Sequence, residues 1–113
     1  MSGKPLLVMV AGPYSAPTAE ERSANLRALN VAAADVMRRG HMPVVGLNAA
    51  LPVLEAADLP DRHPWTMEIS LALAARCDAV LQIGRSPGAD READLVRELG
   101  RPVYTSPQQL PGR

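Results

Sequence analysis

Apolar residues fall along this chain in two alternating patterns: short unbroken runs, and longer stretches with three- and four-residue spacing. Leu6-Leu7-Val8-Met9-Val10 is an unbroken run stopped by Gly12-Pro13, which predicts a parallel strand buried on both faces. From Thr18 the spacing becomes helical, with Leu26, Leu29, Ala33, Val36 and Met37 on one side, Thr18 and Glu21 as a capping-box pair, and Arg38-Arg39-Gly40 to close the helix. Met42 to Leu47 reads as a second strand, at a sheet edge because Pro43 has no N–H for a ladder.

The segment from Asn48 to Trp65 is the least regular. It holds Pro52, Pro60 and Pro64 and one short apolar piece, Ala49 to Ala57, as a helix candidate, and it is a candidate lid. Thr66 to Arg76 predicts a second substantial helix, Asp78 to Gly84 a third strand, Ala89 to Leu99 a helix closed by Gly100, and Pro102-Val103-Tyr104 a last strand. Ser106 to Arg113 reads as a polar, flexible tail. Strands alternating with helices imply right-handed crossovers and a parallel α/β sheet. With helices on both faces, the economical strand order is 2-1-3-4. The switch point then lies between the first and third strands, where open α/β sheets bind ligands beyond the carboxyl ends of their strands. Two loops follow those strands, Ala11-Gly12-Pro13-Tyr14-Ser15 and Ser86-Pro87-Gly88-Ala89-Asp90-Arg91-Glu92.

Composition narrows this picture. A chain of 113 residues, 47% hydrophobic, supports one domain spanning 1–113 and one core. Lys plus Arg and Asp plus Glu number 12 each, so no basic surplus points to a nucleic acid polymer or a polybasic membrane anchor, and local geometry must hold any anionic ligand. The single Cys77 excludes an internal disulfide, fits a reducing compartment and reads as core packing. The first apolar run is too short for a signal peptide, and no stretch approaches the roughly 20 apolar residues of a membrane span. A cytosolic protein is expected. With no Phe, one Trp and two Tyr, aliphatic side chains fill the core and each aromatic stands out.

The second loop carries the clearest chemistry. Ser86-Pro87-Gly88 offers an N-cap hydroxyl, a Pro at the first helical position and a Gly where backbone can approach a ligand, with the helix amides, Ala89 among them, suited to a phosphate. Glu92 follows near the start of the same helix, where the dipole favours a carboxylate able to act as a nucleophile or stabilise a sugar cation. The plainer alternative is a helix cap and a solvated first-turn acid. In the first loop, Gly12-Pro13 sets a rigid turn, Tyr14 a phenol and Ser15 a small hydroxyl, against the alternative of a surface Tyr. Asn25 lies near enough to this loop to reach a ligand, whereas Asn30 is placed to bond a neighbouring loop. His41 and His63 lack metal-ligand spacing, no Ser-His-Asp signature occurs, and neither a P-loop nor a dinucleotide fingerprint is present. Neither metal nor cofactor is expected.

Taken together, Val10-Ala11-Gly12-Pro13-Tyr14, Asn25, Arg39-Gly40-His41, Cys77-Asp78-Ala79-Val80, Ser86 to Glu92 and Leu99-Gly100-Arg101-Pro102-Val103-Tyr104 resemble the nucleoside 2-deoxyribosyltransferase-like superfamily, especially its small bacterial and phage branch. The likeness covers most of the chain and is weak from Asn48 to Pro64. It implies a flavodoxin-like or Rossmann-like three-layer sandwich and cleavage of the N-glycosidic bond of a nucleoside or nucleotide. The carry-over places the nucleophile at Glu92, with Tyr14 beside it. Ser86, where free-nucleoside transferases commonly hold an acid, resembles the phosphate-holding Ser of relatives that hydrolyse nucleoside 5′-monophosphates. Such hydrolysis is therefore the leading expectation, with a deoxyribosyltransferase or a non-catalytic nucleotide-binding module as alternatives. A homodimer is also implied, with the tail or the 48–64 loop at the interface.

One departure matters. The resemblance calls for an Asp that assists the leaving base eight residues before Asp78, and Ser70 stands there. Glu68 lies about 200° around the helix from Ser70 and cannot replace it, which leaves Asp61 or His63 as proton donors. Trp65, the only indole, is a candidate platform for a base or a hydrophobic anchor for its helix.

Overall fold

The computed structural model describes residues 3–60 and 62–112. It contains β1 (Leu7–Ala11), α1 (Ala19–Arg38), β2 (Met42–Val44), α2 (Gly46–Ala57), α3 (His63–Ala74), β3 (Ala79–Gln82), α4 (Pro87–Glu98), β4 (Val103–Tyr104) and a 3-10 turn at Pro107–Gln109. The four strands are all parallel in the order β2-β1-β3-β4, as the alternation of strands and helices requires. Met9 is central in this sheet, opposite Val44 on one side and Val80 on the other.

Period-two alternation divides the strands between two cores. Val8, Val10, Ala79 and Leu81 point to the α1 side and meet Leu29, Ala32, Ala33 and Val36. Met9, Ala11 and Val80 point to the opposite side and meet Ala74, Ala89, Ala93, Val96 and Cys77. The result is a three-layer sandwich with α1 on one face and α3 and α4 on the other. Much of the packing surface is alanine, which lets helices lie close to the sheet without aromatic bulk. Cys77 is fully buried, and burial pushes its thiol up to about 11, so it is an inert core residue.

Three sequence expectations need correction. The second strand ends at Val44, and α2 begins at Gly46. The irregular segment therefore contains a full 12-residue helix despite Pro52, because Ala50 and Leu54 are buried and the helix packs along α3. The next helix starts at His63, three residues earlier than its apolar pattern indicates, with Pro64 in its first turn.

The third correction concerns the tail, which is fastened. Leu110 is 3% exposed in the α1-side core, and Arg39 donates to the Gln108 carbonyl at 3.3 Å. The buried His41 ring bridges two chain segments: its Nδ1 accepts from the Leu6 N–H at 3.0 Å, and its Nε2 lies 2.7 Å from the Pro111 carbonyl. Both bonds form together only in the tautomer protonated at Nε2. His41 thus ties the entry of β1 to the chain end, at the edge of the sheet opposite the loops of interest. Replacing His41 with Ala leaves the Leu6 amide without its partner and opens a cavity, so the variant should lose about 2–4 kcal/mol of stability. Urea unfolding beside the wild-type protein measures this, and an unchanged midpoint would show that the bridge contributes nothing.

Candidate functional site

The loops after β1 and β3 meet through glycine. A Cβ on Gly12 would stand 2.7 Å from Ile83 Cγ1, and one on Gly84 would stand 2.9 Å from Pro13 Cδ. The two segments nest only because both positions lack side chains. The Ile83 N–H donating to the Ala11 carbonyl at 2.8 Å extends the β1–β3 ladder into this junction.

Each loop is also braced from outside. The Thr18 hydroxyl accepts from the Glu21 N–H at 3.1 Å, starting α1 where the sequence places its cap. Asn25 Nδ2 donates to the Tyr14 carbonyl at 2.9 Å, and Arg22 donates to the Ala16 carbonyl at 2.9 Å. Asn25 is therefore a loop-positioning residue that does not line the cleft. On the other side, Asp90 accepts from Gln82 Nε2 at 2.8 Å and takes both Nε and an NH2 group of Arg85 at 3.1 and 3.0 Å. Hydrogen bonds from Arg85 and then Gln82 hold the Asp90 carboxyl below its ordinary range, and the β3–α4 connection is thereby fixed. Ser86 caps α4, its Oγ accepting from the Ala89 N–H at 3.1 Å with Pro87 following. The Ser86 hydroxyl proton stays available to a ligand.

Between these loops and α3 lies a cleft of about 580 Å³, within the roughly 300–1,000 Å³ usual for small-molecule sites. Gly12, Pro13, Tyr14 and Ser15 line one side, and Ser86, Pro87, Gly88, Ala89, Arg91 and Glu92 another. The two loops named from sequence thus converge on one cavity. From α2 come Leu47 and Leu51, and from α3 come His63, Thr66, Met67 and Ser70, one stripe at three- and four-residue spacing. Trp65 is off that stripe, about 200° around from His63; it is 49% exposed and does not line the cleft. Glu68 is likewise exposed and off the stripe. Asp61 lies outside the described residues.

Sequence reasoning missed the cations. Arg22 from α1, Arg62 before α3 and Arg91 on α4 all line the cleft, beside His63 and, among the described residues, a single carboxyl, Glu92. A chain with balanced charge therefore concentrates positive charge at one place. Arg91 sits within the quoted loop, but no spacing rule flags Arg22 or Arg62, which the fold brings in from separate elements. Asn30 accepts from Asn48 Nδ2 and ties α1 to α2, outside the main cleft.

The ionisation of Glu92 differs from the sequence expectation. It is the sixth residue of α4, past the first turn in which the helix dipole acts. Burial dominates and raises its carboxyl to about 7. Ser70 is equally distinctive. It is 3% exposed at the cleft wall, and a Cβ on Gly46 would collide with its Oγ, Cβ and Cα atoms. Ser70 is therefore a point of close approach between α2 and α3, as well as a lining residue.

Among the described residues no group of three or more His, Cys, Asp or Glu side chains could hold a metal ion, and no helix is long and apolar enough to cross a membrane. Comparison with protein-family models and with curated proteins finds no match to this chain.

The raised Glu92 carboxyl has a measurable consequence for stability. An acid whose pKa is higher folded than unfolded binds more protons when folded, so stability is lost as pH rises from the unfolded value near 4.5 to about 7. Glu92→Gln removes that loss. The variant should match the wild type near pH 4.5 and exceed it by about 2–3 kcal/mol above neutrality, read as urea midpoints across the range. A difference that does not grow with pH would mean Glu92 titrates as an exposed acid.

Proposed function

We propose that the protein hydrolyses the N-glycosidic bond of a nucleoside 5′-monophosphate, with Glu92 as nucleophile. One observation carries this reading: Glu92 stands about one and a half helical turns behind the Ser86-capped start of α4, on the same wall of a cleft lined by Arg22, Arg62 and Arg91. A phosphate is accommodated by the Gly88 N–H, the one first-turn amide after Ser86 not already bonded to Ser86, together with the Ser86 hydroxyl and Arg91. A sugar bound by that phosphate brings C1′ toward the Glu92 carboxyl.

In the reaction a Glu92 carboxylate oxygen forms a bond to C1′ while the C1′–N bond breaks, its electron pair leaving with the base. Water then attacks the glycosyl ester, releasing the sugar phosphate and restoring the carboxylate. Desolvation favours this use of Glu92, because a carboxylate with a raised pKa is more basic and more nucleophilic once ionised. Tyr14, in the loop after β1, lines the same space and supplies a hydroxyl for the sugar. The resemblance to the nucleoside 2-deoxyribosyltransferase-like superfamily supports the same reading independently of the geometry.

Incubation with ribo- and deoxyribonucleoside 5′-monophosphates, followed by chromatography of released base, tests the proposal. Release should fall by on the order of 10³-fold or more in Glu92→Gln, and Ser86→Ala should bind the phosphate less well. The rate should rise with pH through about 7 and level off above it, because only the ionised carboxyl attacks. Binding without release of any base would leave a nucleotide-binding module, and transfer of the sugar to an added base in preference to water would make the protein a transferase.

A further inference from the structure

Met67 of α3 lies against Gly88 at the start of α4. A Cβ built on Gly88, the second residue of its helix, would stand 3.1 Å from Met67 Sδ and 3.7 Å from Met67 Cε. A helical Cβ tilts toward the N-terminus of its helix, so the space that Gly88 leaves open adjoins the space in front of α4. The methylthio tip of Met67 fills it. Met67 is half-buried and lines the cleft together with Ser86 and Gly88. Its thioether therefore stands beside the two donors assigned to a phosphate, the Gly88 N–H and the Ser86 hydroxyl.

A thioether is a weak acceptor and does not compete with a phosphate for those donors. Its sulfoxide does, because oxidation adds a partly negative oxygen and turns a flexible apolar tip into a polar one. We propose that Met67 is a redox-sensitive gate at the start of α4, open as the thioether and closed as the sulfoxide. This rests on the phosphate placement of the glycosidase reading and adds the regulation of that site.

The oxidant is a peroxide. The Met67 sulfur attacks one oxygen of hydrogen peroxide, and the S–O bond forms as the O–O bond breaks. The departing hydroxide takes the proton from the sulfur-bound oxygen and leaves as water, so the sulfur is oxidised and the peroxide reduced. A dithiol-dependent sulfoxide reductase reverses the change, returning the thioether and water and ending as a disulfide. In the oxidised protein the new oxygen accepts from the Gly88 N–H or the Ser86 hydroxyl and repels the phosphate oxygens that would take its place. Of the other described methionines, Met9 is fully buried in the sheet, while Met37 and Met42 are 62% and 50% exposed and do not line the cleft. Peroxide reaches Met37 and Met42 as well, but their oxidation leaves the cleft untouched.

Inorganic phosphate is the probe, because it reports on the site whatever the base. Its binding is followed by phosphorus NMR before and after mild treatment with hydrogen peroxide, and peptide mass mapping locates each added oxygen. Untreated wild-type protein should bind phosphate, and oxidation of Met67 should weaken that binding about 10-fold or more, the loss of one hydrogen bond to a charged group. Sulfoxide reductases for both epimers should restore it. Met67→Leu, a volume-conserving change, is compared with itself before treatment and should keep its affinity although Met37 and Met42 are oxidised. Saturating phosphate should slow oxidation at Met67 and leave the rates at Met37 and Met42 unchanged.

An affinity that is unchanged once Met67 carries its oxygen would overturn the gate while leaving the glycosidase intact. So would an equal loss in treated Met67→Leu, or a Met67 that stays reduced while Met37 and Met42 are oxidised. Wild-type protein that binds no phosphate before treatment would remove the phosphate placement and the gate together, whereas base release from the nucleotide panel decides the glycosidase separately.

Discussion

The site depends on two adjacent parallel strands ending level with each other and on the absence of two side chains just beyond them. Ala11 pairs with Gln82 in the β1–β3 ladder, and the chain then passes into Gly12-Pro13 on one strand and Ile83-Gly84 on the other. Each glycine accepts a side chain from the opposite loop, Ile83 over Gly12 and Pro13 over Gly84. Any side chain at either position would spread the loops, and Tyr14 and Ser86 would no longer share a cleft. The braces from Asn25 to the Tyr14 carbonyl and from Gln82 and Arg85 to Asp90 act on a junction that this nesting has already set.

That junction also shapes the electrostatics. Three arginines reach the cleft from three different elements, in a chain whose acidic and basic residues balance. Arg22 enters because α1 starts at its Thr18 cap, Arg62 because α3 starts at His63, and Arg91 because it lies one turn past Gly88 on α4. Against them, among the described residues, stands one carboxyl. Glu92 is close enough to the start of α4 to suggest dipole stabilisation, yet burial raises it to about 7. The dipole fades beyond the first turn, whereas desolvation acts wherever water is excluded.

Much of this was legible in the sequence for physical reasons. Continuous apolar runs ending at Gly-Pro or at Ser-Pro-Gly mark buried strands and the loops after them, and alternation of strand and helix leaves few topologies open. Sheet order, the two loops, the caps at Thr18 and Ser86 and the closing Gly40 and Gly100, both at positive φ, follow from local rules. What escaped depends on contacts between distant segments. The start of α2 at Gly46, three residues before the Ala49–Ala57 candidate, is set by packing on α3. Leu110 and Pro111 look like a polar tail until His41 and the core are seen to hold them. The Glu92 carboxyl is raised by burial that no residue spacing records.

The start of α3 couples packing to chemistry most closely. Beginning the helix at His63 sets the phase that turns His63, Thr66, Met67 and Ser70 to the cleft and carries Trp65 and Glu68 away from it. The same phase presses Ser70 against Gly46 of α2. A side chain at Gly46 would have to displace Ser70, backbone as well as side chain, at the cost usual for an overpacked core. The hydroxyl at the cleft wall is therefore held in place by a helix contact that depends on the missing side chain at position 46.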